Sequence, residues 1–213
     1  GAAGAQIHRV RGKQRLRHAR VRPLGEREGL HVLMGAEVTT KEEVHCLGFM
    51  PDEEKLAEFQ KFLDSRVIFF QNDEDKFGYQ LVVDENEDVL DMVPHLLINA
   101  LDLPMEELQK KVYELGGIFI PAHVDRPTFS ISSQLGFIPD KLKFHALELS
   151  YYCKRNNYKF LEECPWFSDF NFIQSSDAHY IPDIGKIHSV LEMPEFSFEN
   201  FRNALHQGEP IIM

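Results

Sequence analysis

Apolar residues in this chain fall into short buried runs that alternate with segments of helical period, and that alternation predicts the architecture. The run "LHVLMGAEV" reads as a buried strand ending at Gly35 and Glu37, and "EVHCLGFM" as a second strand joined to it by a short polar turn. "PDEEKLAEFQKFLDSR" sets Leu56, Phe59 and Phe62 on one helical face behind Asp52, whose carboxylate suits an N-cap. "GYQLVVDENEDVLDMV" predicts two short strands around an acidic turn, a hairpin inserted between helices. In "PMEELQKKVYELGG", Pro104 stands near the first turn of a helix and Gly116 or Gly117 at its end. That helix feeds "IFIPAH", an apolar strand finishing on His123.

The figure recurs further along. "HALEL" is a strand carrying Glu148 and leads into a helix through "YYCKRNNYKFLEEC", and "FNFIQSSDAH" is a strand running into Asp177 and His179. "SFENFRNALHQG" is a closing helix with Ser197 as cap and Gly208 as stop. No sequence repeat is visible, yet strand, polar tip and helix in succession are the mark of a parallel α/β fold. Ligands gather at the carboxyl ends of the strands in such folds.

Composition narrows the class. With 213 residues, 43% of them hydrophobic, the chain suits one soluble globular domain or an α/β barrel on the short side. No apolar run approaches the ~18 residues that span a bilayer, and the start lacks the apolar core of a signal peptide. The expected compartment is the cytoplasm, with no membrane partner. Cys46, Cys153 and Cys164 have unrelated spacings, which suggests free thiols rather than a disulfide framework or a CxxC metal knuckle.

Charge changes the picture by region. The net charge of −11 disfavours long nucleic acid as a partner, because phosphate contacts need clustered Lys and Arg. Gly1 to Pro23 nevertheless holds Arg9, Arg11, Lys13, Arg15, Arg17, Arg20 and Arg22 without one acidic residue. The domain organisation read here is this atypical basic segment, residues 1–23, followed by an α/β domain over residues 24–213. The segment admits three readings: an arm for nucleic acid or an acidic partner, a solvated lead-in, or the product of a shifted reading frame or misplaced start.

The candidate chemistry lies at the strand tips. Glu37 and His45 flank the first strand pair, His123 ends "IFIPAH", and Asp177 with His179 follows "FNFIQSS". Singly, each has a bland reading: a turn cap, a buried histidine, a surface histidine. In a parallel barrel these tips converge, and carboxylate with imidazole is a ligand set for Zn, Mn or Fe. The other histidines, His8, His18, His31, His95, His145, His188 and His206, read as structural or exposed.

"GAEVTTKEEVHCLGF", "GGIFIPAHVDRP" and "SSDAHYIPDIG" resemble, in order, three motifs of the PHP superfamily, named for polymerase and histidinol phosphatase. The resemblance runs from about Leu24 to the carboxyl terminus. It implies a distorted (β/α)7 TIM-like barrel with a two- or three-metal site at the strand ends, and hydrolysis of phosphoesters by metal-activated water. By that resemblance Glu37, His45, His123, Asp177 and His179 are metal ligands, His179 also serves as a catalytic proton donor, and Arg126 binds substrate phosphate. A structural salt bridge is the competing reading for Arg126.

One departure is plain. The family's His-x-His strand and the Asp-His strand after it are not found ahead of Glu37, so the barrel reads as incomplete at its amino end. The frame-shift reading of residues 1–23 would place two further strands, with their ligands, in the native protein. Fewer metal ions than in a complete site and a homo-oligomeric pairing are then expected. The leading expectation is a phosphoesterase acting on a small phosphorylated or nucleotide-type substrate. A metal-dependent amidohydrolase and a non-catalytic PHP-like binding module are the alternatives.

Overall fold

Strands β1 (Met34–Thr39) and β2 (His45–Met50) form a tight antiparallel hairpin in which Thr39 pairs with His45 and Gly35 with Phe49. The computed structural model describes residues 21–212 apart from 85, 87, 157, 168 and 208–210. Most of the basic segment 1–23, its residues 1–20, lies outside the described residues, as does the predicted stop at Gly208. Ahead of the hairpin stands a short helix, α1 (Val21–Arg27).

After β2 the chain enters α2 (Glu53–Asp64), where the Asp52 carboxylate accepts the Lys55 N–H at 2.8 Å as predicted. A single helical turn, α3 (Glu74–Phe77), leads to the hairpin of β3 (Leu81–Val83) and β4 (Val89–Met92), whose strand residues other than Val82 are exposed. Helix α4 (Met105–Glu114) starts after Pro104, and Gly116 follows it at φ 70°, the left-handed turn a glycine allows. Strand β5 (Ile118–Pro121) then returns to pair with β2.

The helix α5 (Ile131–Leu135) is closed by a Ser130–Ser133 capping box. Strand β6 (Leu147–Leu149) runs beside β5, linked by His145 N to Phe119 O (3.3 Å) and Val124 N to Glu148 O (2.8 Å). The helix expected over residues 151–164 divides into α6 (Tyr151–Arg155) and α7 (Lys159–Glu163), because Tyr158 takes a left-handed φ of 55° between them. Strand β7 (Phe172–Gln174) pairs in parallel with β6. Then come β8 (Ser189–Val190), α8 (Phe198–Gln207) with the Asn200 N–H held by Ser197 Oγ at 3.0 Å, and β9 (Ile211–Ile212) on β8.

The architecture is mixed α/β, and it departs from the all-parallel expectation at one end. β1, β2 and β5 form an antiparallel sheet, because the residues between β1 and β2 suffice only for a hairpin, whereas the α6–α7 crossover makes β6 and β7 parallel. Among the described residues the paired strands do not close into a barrel. No helix there is long and apolar enough to cross a membrane.

Side-chain alternation gives the sheet two apolar faces. One carries Ala36, Val38, Cys46, Met50, Phe119 and Leu147 against Leu56, Phe59 and Leu63 of α2 and Leu108 and Val112 of α4. The opposite face carries Leu47, Phe49, Ile118, Ile120 and Ile173 under Phe201, Ala204 and Leu205 of α8. Glu37, His45 and Glu148 belong to this second face: Glu37 pairs with Leu47, Glu148 pairs with Ile173, and His45 lies one pleat from Leu47. The polar residues occupy the rim of a face that is otherwise apolar.

Candidate metal centre

His45 opens β2 rather than ending a strand. Because β2 runs against β1, its first residue lies opposite Thr39, the last of β1, so Glu37 and His45 become diagonal neighbours on one face. β5 runs against β2, Cys46 pairs with Pro121, and the Ala122 N–H donates to His45 O at 2.9 Å. That register delivers His123 to the same rim from 78 residues away.

Three ligand atoms meet there. His45 Nδ1 lies 2.6 Å from Glu37 Oε1, His123 Nε2 lies 3.2 Å from His45 Nδ1, and His123 Nε2 lies 3.7 Å from Glu37 Oε1. Among the described residues, Glu37, His45 and His123 are the group whose ligand atoms all fall within 4.8 Å of one another. Their side chains are 10%, 10% and 2% exposed. A tetrahedral ion with ligand bonds of about 2.0–2.2 Å separates its ligands by roughly 3.3–3.6 Å. Two of the three edges bracket that range, and the third has the length of a hydrogen bond.

The donor chemistry agrees with the distances. A carboxylate oxygen and two imidazole nitrogens facing one another present lone pairs that only a proton or a metal cation can satisfy. His123 Nδ1, on the far side of the ring, is buried and has no hydrogen-bond partner among the described residues. The residues present therefore fit one N/O-ligated divalent ion, with an open coordination position left over.

Neighbouring groups hold this arrangement in place. The His45 ring stacks on Phe129, centroids 4.8 Å apart and planes at 15°, while its backbone N–H donates to Phe129 O at 2.9 Å. His123 has a left-handed φ of 34°, a costly conformation for a non-glycine residue. Its N–H is fixed by Glu148 Oε2 at 3.1 Å, and Ser175 Oγ donates to the other Glu148 oxygen. Glu148 is 2% exposed, so this buried carboxylate works as a fastener between β5, β6 and β7. Asp125 ties the same loop to the end of β6 by accepting Ser150 N–H and Oγ–H, both at 2.6 Å.

Asp177 and His179 are not members of the three-atom group. Asp177, at φ 44°, sets Oδ2 at 3.3 Å from Arg126 Nη1. His179 Nδ1 lies 2.8 Å from the Asp177 carbonyl oxygen and 3.9 Å from Asp177 Oδ1. A carbonyl oxygen only accepts, so the proton belongs on Nδ1 and the neutral ring carries its lone pair on Nε2.

Sequence reasoning singled out Glu37, His45, His123, Asp177, His179 and Arg126 but passed over Glu148, Ser175, Asp125 and Phe129 as parts of the site. The signal available for Glu148 was an acidic residue inside the apolar run "HALEL". Nothing in the sequence marks Phe129 for its stacking role. The neighbouring Cys46 thiol is pushed well above its ordinary value by burial, with Glu42 and Glu37 adding to the effect, so it remains a neutral thiol facing the α2 side of the sheet.

Residues 168–210 match a family model described as PHP-associated. The Bacillus subtilis (strain 168) protein YqxK is 26% identical over 184 residues, covering 82% of this chain and 41% of its own length. Endonuclease Q from Pyrococcus furiosus superposes with a TM-score of 0.62 at 21% identity, over 87% of this chain and 41% of that one. Endonuclease Q in complex with a 27-mer duplex substrate carrying an abasic lesion at the active site gives a TM-score of 0.60 at 21% identity, over 87% of this chain and 42% of that one. The chain thus spans about two fifths of the length of these relatives. Over residues 168–210 the chain is similar to PHP-associated proteins, and over most of its length it shares the fold of Endonuclease Q.

Proposed function

We propose that this chain is the metal-binding α/β part of a PHP-type phosphoesterase, at the mouth of a distorted TIM-like barrel. The convergence of Glu37 Oε1, His45 Nδ1 and His123 Nε2 carries the reading. Glu37, His45 and His123 would hold a divalent ion, which supplies Lewis-acid stabilisation of phosphoryl oxygens and a water acidic enough to act near neutral pH.

The chain's own residues supply the rest. Glu148 and Ser175 keep His123 in its strained backbone conformation, and Phe129 limits rotation of the His45 ring. Arg126 is partly exposed beside Asp177, and its guanidinium presents further N–H donors suited to phosphate oxygens. His179 exchanges protons at Nε2, since its Nδ1–H is held by Asp177 O.

The substrate class is a phosphoester. The acidic composition favours small phosphorylated molecules, whereas the likeness to a nuclease solved on duplex DNA weighs against excluding nucleic acid. The test is hydrolysis by chelator-free protein loaded with Mn²⁺ or Zn²⁺, run on phosphomonoesters, oligonucleotides with and without an abasic site, and amides. Metal-dependent turnover of a phosphoester that is lost in His123→Ala supports the proposal. Turnover of amides alone assigns the centre to amidohydrolase chemistry. Tight metal binding with no turnover of any class assigns it to a binding module.

A further inference from the structure

Phe129 covers one flank of the metal centre. Its ring lies on that of His45, centroids 4.8 Å apart and planes at 15°, and its carbonyl oxygen accepts the His45 N–H at 2.9 Å. It is nevertheless 42% exposed, so the stacked ring also presents apolar surface to solvent. Scattered exposed apolar residues are ordinary, but two further features set this one apart. Its φ of 57° is a left-handed conformation that a bulky side chain disfavours. The turn is also built to hold it there: Arg126 N–H donates to His123 O at 2.9 Å, Ser130 Oγ donates to Arg126 O at 2.6 Å, and Ser130 is fully buried.

One pinned turn thus carries His123, Arg126 and Phe129 to the same end of the sheet. The next two strand tips at that end are aromatic as well: Tyr151 and Tyr152 follow β6, Tyr180 lies in the segment after β7, and all three are exposed. Asp125, inside the pinned turn, accepts the N–H of Ser150, the residue before Tyr151. A rim that sets a guanidinium beside aromatic faces suits a ligand made of a phosphate and a flat ring, because the guanidinium forks onto phosphate oxygens and ring faces pair by offset stacking. We propose that Phe129 selects the substrate: a phosphoester whose alcohol carries a flat aromatic group, aryl or nucleobase, stacked on Phe129 while the ion and Arg126 hold the phosphate. The inference rests on the phosphoester reading of the centre and deepens it by naming the substrate class.

The experiment is calorimetric titration of the metal-loaded protein with benzylphosphonate and with cyclohexylmethylphosphonate, two non-hydrolysable ligands of equal charge and similar size that differ in aromaticity. The wild type is expected to bind the benzyl compound about 3- to 10-fold more tightly. Phe129→Leu is expected to lose that preference and Phe129→Tyr to keep it, with Phe129→Met as a second non-aromatic variant should the leucine protein not fold. Circular dichroism and a Co²⁺ titration confirm that each variant is folded and takes up the ion. A nucleoside 5′-phosphonate in the same assay separates the two sources of the ring: tighter binding than benzylphosphonate assigns a nucleobase, weaker binding a simple aryl group, and both support the proposal. Equal binding of the matched pair by the wild type, or a preference that survives in the non-aromatic variants, would overturn it. Equal weakening of both ligands in those variants, with the ratio unchanged, would also overturn it and leave Phe129 as a support for His45 alone. No binding of any phosphonate overturns the phosphoester reading itself and this inference with it, so the two failures are distinct.

Discussion

His45 Nδ1 stands 2.6 Å from Glu37 Oε1, although the two residues belong to opposite strands and are not directly paired. The contact is diagonal across the hairpin, and it exists because a short turn locks the register in which Thr39 faces His45. Shifting that register by one residue would send Glu37 and His45 to opposite faces of the sheet.

Removing a ligand tests the centre directly. Glu37→Gln retains the shape but not the charge, and His123→Ala removes one donor outright. Either is expected to lower Co²⁺ affinity by about 100-fold or more, beyond the roughly 10- to 100-fold that supporting partners carry. Spectroscopic titration of the folded variants measures this. Unchanged affinity in both would sink the three-ligand assignment.

Glu148 should matter through His123. Glu148→Ala leaves the buried His123 N–H and Ser175 hydroxyl without their acceptor, and is expected to cost about 2–4 kcal/mol in urea unfolding. Glu148→Gln keeps an acceptor for the His123 N–H and should cost less. Both should weaken metal binding by roughly 10-fold or more, since the backbone of a ligand is released. A Glu148→Ala protein as stable as wild type would contradict the fastening role.

Gly35 is required by close packing rather than by its dihedral angles. A Cβ at this position would lie 2.9 Å from Phe49 Cα and press on the Gly48 carbonyl oxygen, neither of which can rotate aside. Gly35→Ala is expected to destabilise by about 3 kcal/mol, read as a drop in the urea midpoint. At Gly48 the obstacle is side chain instead, with Phe59 Cζ at 3.0 Å, so Gly48→Ala should be the milder change.

Stability should fall at alkaline pH. Burial, with Asp125 adding to it, pushes the Cys153 thiol from its ordinary 9.0 up to about 12, and burial raises the Tyr113 phenol from 10.0 to about 12. Both groups favour the folded chain while they are protonated there. The unfolded chain loses these protons first, from about pH 9 for the thiol and pH 10 for the phenol. Stability is therefore complete below pH 9 and declines toward pH 12, as the unfolded chain loses these protons before the folded one does. Denaturant titrations across this range should show Cys153→Ala declining less steeply between pH 9 and 10.

Much of the chain was legible as local pattern. The α2 cap at Asp52, the β3–β4 hairpin, the glycine after α4 and the Ser197 cap are short-range features, determined by residues a few positions apart. Glu37, His45 and His123 were also recognisable, not singly but as a set: carboxylate and imidazole recur at successive strand tips, within motifs that resemble those of the PHP superfamily. The division of α6 from α7 was not foreseen, since helix propensity alone does not reveal that Tyr158 turns left-handed.

By itself, then, the sequence determined the elements, their caps and the residue types able to bind a cation, all of which depend on local sterics and periodicity. The tertiary structure alone decided which of those residues meet. Strand direction turned His45, the first residue of its strand, into a rim residue beside Glu37. A buried Glu148 fixed His123 from a third strand, and a loop placed Arg126 against Asp177. Pairing direction and register act between residues far apart in the chain, and no local pattern encodes them.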